Sequence, residues 1–138
     1  MELESALSFA RERSNGVIVT LKRDGRPQLS NITYGVGADG LIRVSITAGR
    51  AKYVNLRRDP RASLYVGRDD FWAYVVIEGD VEMTPPAADV GDATVDALID
   101  LYRSIAGEHP DWDEYRRAMV ADGRVVLTLR PTHAYGMA

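Results

Sequence analysis

The chain has 138 residues, of which 46% are hydrophobic, so residues 1–138 are expected to form one domain with its own core. Its 20 acidic and 17 basic residues give a net charge of −3, which offers no overall attraction to nucleic acid or to an anionic membrane. The lack of cysteine excludes disulfides, thiolate metal sites and cysteine nucleophiles, and it is compatible with a reducing cytoplasm.

The first residues predict neither a signal peptide nor a membrane span. Met1 to Glu4 include two acids, and no long apolar run follows them or occurs elsewhere in the chain. A cytoplasmic protein is therefore expected. Because the net charge is negative, any binding of an anion must come from a local cluster of bases.

The first half of the chain is expected to form one helix and then three strands. Apolar side chains recur at helical spacing near the N-terminus, and a β-branched run follows them. Asp24-Gly25 is a strong signal for a hairpin turn, so the strands are expected to follow one another as a meander. The predicted elements are a helix over residues 2–14 and strands over 17–21, 28–36 and 41–47.

The second half is expected to alternate helices and strands. Pro60 ends a short helix, Asp111 and Glu114 have the spacing of a capping box, and Gly79 lies inside a long strand, where it predicts a bulge or a bend. The predicted elements are helices over residues 51–58, 89–105 and 111–121 and strands over 61–66, 71–83 and 124–129, the last disturbed or ended by Pro131.

These elements predict a mainly β fold with flanking helices. Six strands in sequential hairpins favour a small antiparallel β-barrel, closed or nearly closed. Side chains fill the interior of so small a barrel. A cofactor would therefore bind outside the barrel, and a crevice between two subunits is a natural place for it.

The basic residues around the short helix predict an anion site. Arg50 and Lys52 follow Gly49 at the expected start of the helix, where unpaired N–H groups add a partial positive charge. Two bases there are suited to a phosphate. Arg57 and Arg58 lie at the other end, where they suit the helix dipole. The alternative is a solvated basic helix with favourable charges at its ends.

Polar residues on the second and third strands are candidates for contacts to a heterocycle. Gln28, Ser30 and Asn31 lie on the second strand, and Ser45 and Thr47 lie on the third. Amides and hydroxyls can pair with the carbonyls and nitrogens of a ring system. The alternative is an antiparallel sheet with one wet face, which produces the same alternation of polar and apolar residues.

Two aromatic residues at the start of the fifth strand form the third candidate feature. Trp72 and Tyr74 are expected on the same face of a strand, where they could flank a flat ring. Core packing or a dimer contact would also explain them. His109 and His133 lack the spacing of metal ligands, so no metal site is predicted.

Several strings of the sequence resemble the pyridoxamine-phosphate-oxidase-like split-barrel family. The match is closest to its actinobacterial branch of oxidoreductases that use the deazaflavin coenzyme F-420. The strings are GRPQLSN at residues 25–31, RAK at 50–52, NLRRDPRA at 55–62, LYR at 101–103, IAGEH at 105–109 and VLTL at 126–129.

The resemblance implies a six-stranded split β-barrel homodimer with two cofactor sites at its interface. In this family, bases after the third strand hold the cofactor phosphate, and polar strand residues line the ring and the ribityl chain. Either subunit could supply the aromatic pair. The implied cofactor-binding residues are Gln28, Asn31, Ser45, Arg50, Lys52, Trp72 and Tyr74, with Ser30, Thr47 and Asn55 as further candidates.

The activity implied by the resemblance is hydride transfer from reduced coenzyme F-420 to an unsaturated or conjugated small molecule. FMN is the alternative cofactor, and a non-catalytic carrier of a flavin or deazaflavin is the alternative function. Pyridoxamine-phosphate oxidation is not expected, because Arg130 to His133 differ in spacing from the Arg-x-His set of that enzyme. Solvent, Tyr34 and Tyr74 are the candidate proton donors, and no catalytic residue is assigned.

Overall fold

The computed structural model describes residues 1–138 as seven strands and four helices. In chain order they are α1 Leu3–Arg11, β1 Asn15–Leu21, β2 Pro27–Thr33, β3 Gly35–Val36, β4 Ile42–Thr47, α2 Ala51–Arg58, β5 Arg61–Gly67, β6 Tyr74–Met83, α3 Ala93–Ala106, α4 Trp112–Asp122 and β7 Arg124–Met137.

The strands form one antiparallel sheet that curls into a half-barrel. Their order across the sheet is β2-β1-β5-β6-β7-β4-β3. Alternate residues of the strands point inward and build the main core, in which Ile18, Val44, Leu64, Ile77 and Leu127 are each at most 2% exposed. The prediction of a mainly β split barrel with flanking helices is confirmed.

The expected hairpin of β1 and β2 is confirmed, but the meander does not continue, because the predicted second strand is interrupted. Its residues form two strands, β2 and β3, separated at Tyr34, so the sheet has seven strands instead of six. Tyr34 is buried, and its hydroxyl donates a hydrogen bond of 2.8 Å to the carbonyl oxygen of Ala10 in α1. The chain then crosses over, and β4 pairs with β7 from Ile42↔Leu129 to Thr47↔Arg124. The burial of Tyr34 also removes it as a proton donor for a surface site.

The predicted fifth strand begins three residues later than expected. Phe71 has a φ of 70°, a left-handed conformation that an aromatic residue rarely adopts, and Trp72 lies with it in a turn. The carboxylate of Asp70 accepts a 3.0 Å hydrogen bond from the N–H of Trp72 and so holds the turn. Strand β6 therefore starts at Tyr74, and Trp72 does not share a strand face with it.

The predicted irregularity at Gly79 is confirmed. The register between β6 and β7 shifts between Glu78 and Gly79, and Thr132 is the extra residue of β7. A Cβ on Gly79 would lie 2.1 Å from the carbonyl oxygen of Arg130, so only glycine allows this approach. The bulge also accommodates Pro131, and β7 continues beyond its predicted end to Met137.

Helices α3 and α4 pack as a hairpin on the outside of β4 and β7 and form a second apolar cluster. Val126 of β7 is buried beneath Leu98 of α3 and Met119 of α4. Asp111 caps α4 as predicted and accepts a 3.0 Å hydrogen bond from the N–H of Glu114. This hairpin forms a wall that lies beside the polar outer side of β4. No helix in the structure has the length and apolar character to cross a bilayer.

Candidate functional site

A cavity of about 520 Å³ lies between the sheet, the start of α2 and the α3–α4 hairpin. Its size is within the range of cavities that bind cofactors and other small molecules. It is lined by 15 residues: Asn31, Ile32, Thr33, Val44, Ser45, Ile46, Thr47, Arg50, Lys52, Leu101, Tyr102, Ile105, Ala106, Tyr115 and Arg124.

Four of the seven predicted cofactor-binding residues line this cavity. They are Asn31 on β2, Ser45 on β4, and Arg50 and Lys52 at the start of α2. Thr47, one of the further candidates, lies among them. The lining contains three basic side chains and no acidic one. The cavity is therefore suited to an anion.

The start of α2 contributes two cations that have no partner in the protein. Helix α2 has the predicted bounds, and Arg50 is its N-cap residue without a side-chain bond to the first turn. Neither Arg50 nor Lys52 is in an ion pair. Burial, Arg50 and Arg124 lower the pKa of Lys52, in that order of importance. An anion in the cavity would relieve this repulsion and would meet free N–H groups of the helix.

Arg124 is the third cation, and it was not a candidate from the sequence. It opens β7 opposite Thr47 of β4, and its Nη1 lies 3.4 Å from the carbonyl oxygen of Ser45 and 3.5 Å from the Ser45 hydroxyl. Its Nε lies 3.4 Å from a carboxylate oxygen of Asp122. The sequence gives no local signal for this role, since 79 positions separate Ser45 from Arg124.

The helical hairpin forms the apolar side of the cavity, which sequence reasoning also missed. Its lining residues are Leu101, Tyr102, Ile105, Ala106 and Tyr115. Their helical spacing was visible in the sequence, but it did not show that part of the apolar stripe faces a cavity.

An aromatic cluster stiffens this wall. The ring centroid of Tyr102 lies 5.2 Å from those of His109 and Tyr115 and 5.6 Å from that of Trp112. The Nδ1 of His109 accepts a 2.9 Å hydrogen bond from the N–H of Asp111, and the Tyr115 hydroxyl donates to the carbonyl oxygen of Leu98. Burial raises the pKa of Tyr115. His109 and Tyr115 thus each have a hydrogen-bond partner within the hairpin.

The remaining three predicted residues do not line the cavity of their own chain. Gln28 lies toward the other end of β2, where its amide donates a 3.4 Å hydrogen bond to the carbonyl oxygen of Leu29. Trp72 is 80% exposed, and Tyr74 stacks on Tyr65 with centroids 5.7 Å apart. A role for these three residues in cofactor binding stays a prediction.

Two other predicted bases have contacts away from the cavity. Arg57 lies over the ring of Tyr53, and Arg58 donates hydrogen bonds to the carbonyl oxygen of Leu21 and to the side chain of Asn55. Asn55 is buried and donates to the hydroxyl of Thr20 at 3.2 Å. This end of α2 therefore anchors the helix to β1 and lies away from the cavity.

The outside of the sheet carries a second notable surface, here called the outer apolar face. Its residues are adjacent across β2, β1, β5, β6 and β7, and on β1, β5 and β6 they alternate with buried residues. They are Val17, Val19, Leu29, Tyr65, Tyr74, Val76, Tyr135 and Met137, of which Leu29 is 58% and Met137 is 65% exposed.

The cavity borders a depression at the edge of the outer apolar face. This depression of about 640 Å³ includes Val17, Tyr65 and Phe71, and it shares Asn31, Ile32 and Thr33 with the cavity. The end of β2 therefore separates the two. A molecule that covers the outer apolar face would lie beside the cavity.

Comparison with known proteins finds a matching sequence family and several solved structures that are similar to this chain. The sequence model of the pyridoxamine 5′-phosphate oxidase family matches residues 3–138. A conserved hypothetical protein from Mycobacterium tuberculosis is 25% identical over 99% of this chain and 84% of its own, with a TM-score of 0.76. A protein named an F-420 reductase is 27% identical over 96% and 94%, with a TM-score of 0.69. An FMN-binding, pyridoxamine 5′-phosphate oxidase-related protein from Nostoc punctiforme shares the fold at 12% identity over 97% and 78%, with a TM-score of 0.66.

Proposed function

The chain belongs to the pyridoxamine 5′-phosphate oxidase family, and we propose that it is an oxidoreductase that transfers a hydride from reduced coenzyme F-420 to an unsaturated or conjugated small molecule. The observation that carries the proposal is the cavity beside β2 and β4, in which Arg50, Lys52 and Arg124 meet without an acidic lining residue. Flavins and deazaflavins with a phosphate-bearing tail have the complementary charge.

The residues of the cavity fit such a cofactor from one end to the other. Arg50 and Lys52 would hold the phosphate at the start of α2, and Asn31, Ser45 and Thr47 offer polar groups along the sheet. The apolar side formed by the α3–α4 hairpin suits a flat ring system. One cavity thus offers what each part of such a cofactor needs: cations for the phosphate, polar groups for the chain and ring heteroatoms, and an apolar side for the ring.

The deazaflavin is favoured over FMN by the similar structures. The protein named an F-420 reductase is 27% identical over nearly the whole of both chains, whereas the FMN-binding protein at 12% identity supports the fold alone. FMN is the second candidate cofactor. A carrier that binds a flavin or deazaflavin without turnover is the second candidate function, since no acid–base pair lines the cavity.

The cofactor would supply two-electron hydride chemistry, and the protein would contribute binding and orientation. Arg50 and Lys52 would fix the anionic end, which sets the position of everything attached to it. Leu101 and Ile105 would keep water from one side of the ring. Tyr34 is buried against Ala10 and supplies no proton here.

The functional unit in this proposal is a homodimer formed through the outer apolar face. A continuous apolar surface of this kind is typical of an interaction site, and a two-fold dimer would cover the same face of both copies. Because the cavity adjoins this face at Asn31 to Thr33, the second copy would stand next to the cofactor. In this dimer, the cofactor site would also receive contacts from Trp72, Tyr74 and Gln28, which would either belong to the partner subunit or lie next to it.

Cofactor titrations test the proposal directly. Protein purified without added cofactor is expected to be colourless and to quench the fluorescence of added F-420 with a lower Kd than that of FMN. Riboflavin, which lacks the phosphate, serves as the control ligand and should bind more weakly than FMN. A yellow protein with a two-band flavin spectrum would instead support FMN.

Turnover then separates the enzyme from the carrier. Reduced F-420 bound to the protein is expected to reoxidise when a suitable member of a panel of conjugated carbonyl and alkene compounds is added. The recovery of deazaflavin absorbance measures this reaction. Tight binding without reoxidation by any compound of a broad panel would favour the carrier.

The affinity for the phosphate-bearing cofactor is expected to fall at alkaline pH. Because the pKa of Lys52 is lowered in the free protein, its ammonium group loses the proton at a lower pH than an ordinary lysine, and the affinity decreases as the pH rises through that value. The expected loss is about tenfold. Titrations from about pH 7 to just above the ordinary lysine pKa of about 10.4 measure it, with riboflavin as the control ligand. Lys52→Arg, which stays charged, should remove the decrease; the same decrease in that variant would contradict the assignment.

A further inference from the structure

Arg124 differs from the other two cations of the cavity because neighbouring groups already bind it. Its guanidinium contacts both oxygens of Ser45 and the carboxylate of Asp122, at distances of 3.4 to 3.5 Å. These contacts are at the long end of the hydrogen-bond range, and a guanidinium has five N–H donors. The side chain is therefore oriented toward the cavity and retains donors for a ligand.

The charge around Arg124 is only partly compensated. Asp122 is its single acidic contact, and this carboxylate is 48% exposed, so solvent weakens the pair. In the same cavity, Arg50 and Lys52 have no acidic partner. Three cations and one exposed acid leave an excess of positive charge, which a ligand with a single negative charge would not neutralise.

Building on the proposed function, we propose that Arg124 determines the specificity of the site for ligands whose anionic tail carries two or more negative charges, and that Asp122 restrains it. In the free protein the carboxylate of Asp122 pairs with the guanidinium of Arg124, and a binding ligand must compete with it. When a multiply charged tail binds near Arg50 and Lys52, Arg124 pairs with its second charge. The phosphate of FMN and the longer polyanionic tail of a deazaflavin share this chemistry.

Opposite substitutions in this pair provide the test. Arg124→Gln is expected to weaken the binding of F-420 and FMN about tenfold and to leave riboflavin binding unchanged, because riboflavin has no anionic tail. Asp122→Asn is expected to tighten binding of the charged cofactors about two- to threefold. Arg124→Lys, which restores the charge, should recover part of the loss. Fluorescence titrations at low and high salt measure each affinity, and the effect of each substitution should shrink at high salt.

The titrations also identify which tail is recognised. A larger loss for F-420 than for FMN in Arg124→Gln would assign the second charge to the extended tail, and equal losses would assign it to the phosphate. Either result supports the proposal.

Equal affinities of Arg124→Gln and the unchanged protein for both cofactors would overturn it, as would an equal loss for riboflavin. In the first case, loss of binding in a variant lacking Arg50 and Lys52 would keep the proposed function intact and overturn the role of Arg124 alone. If that variant also bound normally, the proposed function would be wrong. A thermal melt of Arg124→Lys beside Arg124→Gln separates loss of charge from loss of folding.

Discussion

A double variant, Arg50→Ala with Lys52→Ala, is expected to bind a phosphate-bearing flavin or deazaflavin about 100-fold more weakly or worse. Each charge-assisted hydrogen bond contributes about 1.5–3 kcal/mol, so the loss of two corresponds to about 3 kcal/mol or more. Both side chains line the cavity and neither has an intramolecular ion-pair partner, so nothing in the protein compensates for their removal. Fluorescence titration with F-420 and FMN measures the change.

The matched control removes two positive charges elsewhere. Lys22 and Arg23 are exposed in the turn between β1 and β2, and neither lines the cavity. Lys22→Ala with Arg23→Ala changes the net charge by the same amount, so its affinity should stay within about twofold. Riboflavin should bind all three proteins alike. An undiminished affinity of the cavity variant for FMN and F-420 would remove the phosphate site from the proposal.

Val76→Glu is expected to convert the proposed dimer into monomers and to abolish most of the cofactor binding. Val76 lies at the centre of the outer apolar face, between Tyr65 of β5 and Tyr135 of β7. A two-fold interface would place two such glutamates within one apolar contact, and the desolvation of an unpaired charge costs several kcal/mol. Sedimentation or light scattering at micromolar concentration measures the change in mass.

The same substitution at another apolar surface position provides the control. Val90 is 45% exposed in the loop before α3 and is not part of the outer apolar face, so Val90→Glu should leave both mass and affinity unchanged. If the unchanged protein sediments as a monomer, the homodimer is wrong. If Val76→Glu is monomeric and still binds the cofactor with full affinity, the partner subunit contributes nothing to the site.

The elements with strong local signals were predicted well from the sequence. Helix α2 has the predicted bounds, Asp111 caps α4, and Gly79 marks the bulge between β6 and β7. In each case the deciding interaction lies within a few residues: a proline after the helix, a carboxylate three residues from its N–H donor, or a position without room for a Cβ. The resemblance strings also led to the correct family, which the match over residues 3–138 confirms.

The order in which the strands pair in the sheet could not be predicted in the same way. The pairing of β4 with β7 joins segments about 80 positions apart, and the burial of Tyr34 interrupts what reads as one strand. Such pairings depend on which apolar faces pack together in the core. The alternation of polar and apolar residues along one strand does not identify the strand with which it pairs. The missed contributions of Arg124 and of the α3–α4 wall follow from this, because only the crossover brings them beside Ser45.

The sequence by itself determined which residue types are available: bases at the start of α2, polar residues on the strands beside it, and no thiol or metal-ligand motif, from which it predicted an anion site. The tertiary structure alone decided which of these residues share one cavity, that a third cation joins them, and that an apolar sheet face lies next to the site. The reason is physical: caps, turns and charges act over one or two turns of chain, whereas a cavity exists only where distant elements are held together by the burial of a common core.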